Sequence, residues 1–118
     1  MSIKSQNEIG EISIEHDVLA SIAALAAMEC YGLVGMTYKS ARNGIAKMLK
    51  GEHLAKGVEV RAVDEGVEID LYVIIQYGTK ISVVAENILE KVKYQVETQT
   101  GIAVKEVNLN IEGVRVQE

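Results

Sequence analysis

The chain has 118 residues, of which 48% are hydrophobic and 25% are charged, a composition that excludes a disordered or collagen-like chain. Twelve Lys and Arg against seventeen Asp and Glu give a net charge of −5, which excludes a protein that coats nucleic acid through bulk charge. A single cysteine excludes an internal disulfide, and no apolar run approaches the ~20 residues that cross a bilayer. We expect one cytoplasmic domain over residues 1–118, with residues 1–8 flexible.

The first quarter of the chain predicts a short strand followed by a helix. Isoleucines alternate with polar side chains in residues 9–14, which is typical of a half-buried strand. Asp17 is a residue type that caps helix N-termini, so we expect a helix over residues 18–31 that ends at Gly32. This helix is apolar on nearly all sides, so it is either central in the fold or shared with a second copy of the protein.

A basic segment occupies residues 33–51, where four Lys and Arg occur without an acidic residue, so that the rest of the chain carries −9. Helical spacing of Ile45, Met48 and Leu49 predicts a short amphipathic helix over residues 42–50. Such a patch is able to contact a protein, anionic lipid or nucleic acid, although an ordinary solvated helix has the same pattern. We assign partner binding to Lys39, Arg42, Ile45, Lys47, Met48 and Lys50.

The second half of the chain predicts a hairpin, a long helix and a last strand. Apolar residues alternate with polar ones on either side of turn residues 64–66, which predicts a β-hairpin. Helical spacing then extends over residues 79–100, and Gly101 is suited to end that helix. The strand predicted over residues 107–116 changes its alternation at Gly113, which indicates a β-bulge.

These elements together predict an α+β fold with two layers. Two main helices on one face of a mainly antiparallel sheet, with a short helix in addition, bury the apolar faces of both layers. The outer face of the second hairpin strand nevertheless becomes apolar at Tyr72 and Ile74, and the first helix offers alanines for close approach. We therefore expect a homo-oligomer. Self-association is assigned to Leu19, Ala23, Ala27, Tyr72 and Ile74.

Catalytic and metal-binding patterns do not rise above the background of the sequence. His16 and His53 lie far apart, and neither shares a metal-ligand spacing with Cys30. The acidic residues between positions 59 and 70 offer oxygens to a cation, but a solvated turn and strand face is favoured. Residues 32–35 match a GxxG loop that grips nucleic acid poorly, because the two inner residues are apolar. We expect no enzyme activity, no cofactor and no metal.

Ordered sequence blocks run through nearly the whole chain, at residues 9–14, 18–23, 32–36, 57–60, 69–73, 77–78, 84–85 and 100–109. Together, from about residue 8 to 116, they resemble the bacterial alkaline-shock-protein family of envelope stress response proteins, in its short form. The resemblance implies a cytoplasmic protein, mostly of Gram-positive bacteria, that is associated with cell-envelope homeostasis and stress. It also implies that an integral membrane partner holds some members at the membrane, and it carries over no catalytic residue.

Two hypotheses about function follow. The leading one is a non-enzymatic scaffold that associates with itself and binds a membrane-anchored partner, which would place it at the inner face of the membrane only through that partner. The alternative is a small RNA-binding protein that uses the basic residues 39–50, although the net charge disfavours nucleic acid. Salt-dependent RNA binding that is lost on Lys47→Glu and Lys50→Glu would favour this alternative.

Overall fold

A five-stranded sheet carries two long helices on one face. The structure, a computed structural model, describes residues 9–38 and 48–116, and these counts refer to them. In chain order the elements are α1 (Ile9–Met28), β1 (Leu33–Thr37), β2 (Met48–Leu49), a 3-10 helix (Gly51–Gly57), β3 (Val58–Val63), β4 (Gly66–Gln76), α2 (Ile81–Thr100) and β5 (Val104–Arg115). The predicted α+β fold with a mainly antiparallel sheet is confirmed.

The central strand is β4, which has neighbours along both edges. Along one edge, β3 pairs antiparallel with its first half and β1 pairs antiparallel with its second half. Along the other edge, β5 runs parallel to β4 from Val67 to Gln76. Parallel neighbours need a long crossover, and the 20 residues of α2 provide it. A helix of that length returns the chain by about 30 Å, roughly the length of the strand.

The core lies between the helices and the inner face of the sheet. β4 contributes every second residue from Val67 to Ile75, and α2 contributes one residue per turn from Val84 to Val96. α1 contributes Leu19 and a set of small side chains, which let the helix lie close to its neighbours. This set consists of Ala20, Ala23, Ala24, Ala26 and Ala27.

The hairpin, the second helix and the bulge are confirmed. β3 and β4 form the hairpin, and Gly101 ends α2 in the left-handed region at φ 79°. The register between β4 and β5 shifts at Gly113, as the change in alternation indicated. β5 begins earlier than predicted, at Val104, whose amide donates a hydrogen bond to Glu97 of α2 at 2.9 Å. That hydrogen bond lowers the pKa of Glu97.

The predictions for the start of α1 are wrong. Residues 9–14 are helical instead of extended, and α1 continues through Asp17, which therefore does not cap a helix. Ile9 and Ile12 also have the i, i+3 spacing of a helix, so the short alternation was ambiguous. The helix ends at Met28, and Gly32 follows with φ 93°. A Cβ on Gly32 would lie 2.5 Å from Val84, so glycine permits this close approach of the loop to α2.

The short helix predicted over residues 42–50 is wrong at its described end. Met48 and Leu49 form β2, which pairs with the end of β1, and the 3-10 helix follows. The rest of the predicted helix, residues 42–47, lies outside the described residues, as do residues 1–8. β1 was not predicted, because five residues that include Gly35 do not show a clear alternation.

Candidate interaction surfaces

The sheet face that points away from the helices, here called the far face, carries a polar network across three strands. Arg61 on β3 donates hydrogen bonds to Asp70 and Glu68 on β4, at 2.6 and 3.0 Å. Asn108 on β5 donates to the same Asp70 at 2.8 Å. The hydrogen bonds to Asp70 and Glu68 raise the pKa of the Arg61 guanidinium. These hairpin acids are therefore paired, and the described part of the chain holds no group of three His, Cys, Asp or Glu suited to a metal ion.

The apolar end of the far face is packed within the chain. Tyr72 is 6% exposed, and its Oη donates a hydrogen bond to Glu59 Oε1 at 3.2 Å. Burial, together with the negative charge of Glu59, raises the pKa of Tyr72 to about 12. Ile74 is fully buried and pairs with Gly35 of β1. A Cβ on Gly35 would lie 2.8 Å from the sulfur of Met48, so the Met48 side chain lies directly over this position.

All five residues that we assigned to self-association are buried in one chain. Leu19, Ala23 and Ala27 lie in the core between helices and sheet, and Tyr72 and Ile74 lie in the far face. A buried side chain does not contact a second copy unless the core opens. The sequence pattern did not separate core from contact surface here, because a helix that is apolar all round does not indicate which side the sheet covers.

The outward side of α1 carries a row of exposed apolar side chains, Val18, Leu25 and Met28, which we call the α1 row. Their spacing of seven and three residues places them on one side of the helix. Leu25 is 58% exposed and lines a cleft of about 200 Å³ together with Ser21 and, on the 3-10 helix, Leu54. Even with this row, neither described helix is long and apolar enough to cross a membrane.

The basic segment ends beside the α1 row. Gly51 lines the same cleft as Leu25, and the exposed Lys50 precedes Gly51 in the chain. Of the six residues assigned to partner binding, the structure describes Lys50 and Met48, and Met48 is half-buried over the far face. The other four lie outside the described residues: Lys39, Arg42, Ile45 and Lys47. The fold therefore brings an apolar row and the end of a positively charged segment together.

The residues considered for chemistry stay apart in the fold. His16 lines a cleft of about 510 Å³ between α1, the 3-10 helix and β3, with Asp17 and Lys56 among its neighbours. Its Nε2 atom is buried without a hydrogen-bond partner among the described residues. Cys30 lies instead against α2, and burial raises the pKa of its thiol, which suppresses the reactive thiolate. His53 is exposed on the 3-10 helix.

Known sequences similar to this chain come from Gram-positive bacteria. The uncharacterized protein YloU of Bacillus subtilis is 45% identical over 117 residues, which cover 98% of each chain. The uncharacterized protein YqhY of the same organism is 30% identical over 107 residues, which cover 91% of this chain and 78% of YqhY. A stress response regulator gls24 homolog of Streptococcus pyogenes is 25% identical over 109 residues, which cover 92% of this chain and 61% of the homolog.

Solved structures of MamM CTD variants are similar in fold. One aligns over 89% of this chain and 96% of its own, with a TM-score of 0.52 and 13% identity. A zinc form aligns over 88% of both chains, with a TM-score of 0.50 and 13% identity. Sequence identity at this level indicates a shared fold and nothing about function. The model of the alkaline shock protein 23 family, described as having a cell envelope-related function, matches residues 4–116, and the chain therefore belongs to that family.

Proposed function

We propose that the protein is a non-enzymatic, single-domain adaptor that associates with itself and binds a membrane-anchored partner in cell-envelope homeostasis or stress response. Membership of a family with a cell envelope-related function supports the setting. Similarity to a stress response regulator homolog supports the link to stress. The observation that carries partner binding is the exposed α1 row with Lys50 beside it.

The chemistry of this surface favours an amphipathic segment of the partner that carries acidic side chains. The α1 row extends over ten residues, or about 15 Å of helix, which matches two or three turns of a partner helix. Apolar side chains of that segment would cover Leu25 and its neighbours. The four positive charges between positions 39 and 50 would attract the acidic side chains and orient the segment.

Recruitment by a protein follows from the size of the charge. A basic residue near an anionic leaflet contributes about 1 kcal/mol, so four of them contribute about 4 kcal/mol. That free energy corresponds to a dissociation constant of about 1 mM, which is too weak for stable attachment to lipid. We therefore assign localisation at the inner face of the membrane to the partner and not to direct contact with lipid.

Localisation of a tagged copy in cells tests this proposal. We expect wild-type protein at the cell periphery, and a uniform distribution for the Lys47→Glu, Lys50→Glu variant, because charge reversal removes the attraction to the acidic partner. The matched control is Lys56→Glu, Lys80→Glu, which reverses two exposed lysines outside the basic segment and should stay peripheral. Uniform distribution of the wild-type protein under every growth condition would contradict an envelope role.

Two binding assays on the purified protein separate the remaining ligands. Little sedimentation with anionic liposomes at physiological salt is expected, and tight sedimentation would make the basic segment itself the membrane-binding device. RNA binding is expected to be weak at the same salt. Strong binding that falls with salt and is lost in the Lys47→Glu, Lys50→Glu variant would replace the adaptor with the RNA-binding alternative.

A further inference from the structure

The strand β5 lies at an edge of the sheet. It pairs with β4 along its whole length, and among the strands of the described residues it has no neighbour on its other side. A strand directs its backbone N–H and C=O groups to both sides, so the outer side of β5 presents a row of them. At 12 residues, β5 is about twice as long as a typical strand.

Exposed apolar side chains continue along this edge. Ile111 is 38% exposed and Val114 is 50% exposed. Both lie on the helix side of the sheet, because their partners on β4, Val73 and Ile75, are core residues. The apolar layer therefore extends past the last strand of the sheet without a cover among the described residues. Long edges with exposed apolar side chains are sites for pairing with another chain.

The side-chain pattern of β5 on the far face is complementary to itself. Opposite five successive far-face positions of β4, the bulge leaves five evenly spaced positions with Asn110 in the middle. A two-fold axis at Asn110 in an antiparallel pair of β5 strands brings Glu106 opposite Arg115 of the second copy, twice by symmetry. On the helix side, the same axis brings Val107 opposite Val114 of the second copy. Opposite charges and apolar pairs at facing positions stabilise such a pairing.

We propose that two copies of this chain join along β5, antiparallel and centred on Asn110, so that one sheet continues through both copies. This interface rests on the self-association proposed above and names the surface that performs it. Charge complementarity between Glu106 and Arg115 favours a second copy over an unrelated strand as the occupant. The α1 row lies on a different element, so it stays available to the membrane-anchored partner in each copy.

Exchange of the two charges tests the interface by analytical ultracentrifugation. We expect Glu106→Arg to weaken the dimer about tenfold, because arginine then faces arginine in both symmetric pairs. Adding Arg115→Glu to Glu106→Arg should restore the wild-type affinity, since the charges are opposite again. The control Glu90→Arg reverses an exposed acid on α2 and should leave the affinity unchanged. Circular dichroism verifies that each variant is folded.

A cysteine cross-link provides a second measurement that does not depend on reversing a charge. In a Cys30→Ala background, Asn110→Cys should form a covalent dimer under mild oxidation, because the two-fold axis brings both Cβ atoms within about 5 Å. Glu90→Cys in the same background should not cross-link. A wild-type dimer that is unaffected by Glu106→Arg and does not cross-link at residue 110 would overturn the β5 interface alone. A wild-type protein that is monomeric at high micromolar concentration would overturn self-association itself.

Discussion

Replacement of Tyr72 by phenylalanine tests how the far face is closed. Tyr72 is nearly fully buried and donates a hydrogen bond to the Glu59 carboxylate at 3.2 Å. Tyr72→Phe keeps the ring and removes this hydrogen bond. A hydrogen bond to a charged group contributes about 1.5–3 kcal/mol, so we expect the variant to be less stable than wild type by about 2 kcal/mol near neutral pH.

The pH dependence of the wild type has a definite sign. Burial and the Glu59 charge raise the folded pKa of Tyr72 to about 12, against an ordinary value of 10. The neutral phenol is thus favoured in the folded state, so this contribution to stability is complete below pH 10 and is lost as pH rises to about 12. A shift of two pKa units corresponds to about 3 kcal/mol in the free energy of unfolding.

Urea denaturation between pH 8 and about 12 measures this effect. The wild type should lose about 3 kcal/mol more than Tyr72→Phe over that range, so that the difference between the two proteins closes at alkaline pH. Tyr77→Phe is the matched control, because Tyr77 is 71% exposed and its substitution should follow the wild-type curve. Parallel pH curves for wild type and Tyr72→Phe would refute the burial of Tyr72 and would return it to the candidates for a contact surface.

Three further substitutions test the packing of β5 and α1. Gly66→Ala should destabilise the fold by about 2–4 kcal/mol in urea denaturation, because its Cβ would collide with the carbonyl oxygen of Ala103. Gly78→Ala, at φ 91° in open space, should cost only about 1 kcal/mol. The pKa of Glu97 is lowered mainly by a hydrogen bond from the first amide of β5, so its contribution is present above about pH 4.5 and lost on acidification; Glu97→Gln should flatten thermal melts in that range, and an unchanged acid limb would contradict this. Cys30→Ala should preserve peripheral localisation and cost about 1 kcal/mol, and loss of localisation in a folded variant would show a role for the thiol.

The parts of the fold that were predictable have long, regular patterns. The alternation through β4 and the one-residue-per-turn spacing of α2 extend over many residues, so each indicated both the element and its buried face. The parallel pairing of β5 was not predicted, because alternation indicates which face is buried and does not indicate the neighbouring strand. β2 has only two residues and depends on tertiary pairing with β1.

The candidate surfaces were less predictable because exposure is a property of the whole fold. Leu19 and Leu25 lie on one apolar helix, yet Leu19 is buried in the core and Leu25 faces outward. Val18, Leu25 and Met28 do share a helical spacing, so a search for a second apolar stripe on α1 would have found the α1 row. No pattern in the sequence indicates that the end of the basic segment reaches this row.

The contact made by Leu25 in living cells tests the adaptor function most directly. A photoreactive amino acid at position 25 would be irradiated in intact cells, with the same residue at position 90, an exposed glutamate on α2, as the control. The account predicts that the probe at position 25 cross-links to an integral membrane protein, that Lys50→Glu lowers the yield, and that the probe at position 90 does not cross-link to it. Cross-linking of both positions to the same proteins, or of position 25 only to RNA or to a second copy of this chain, would contradict it.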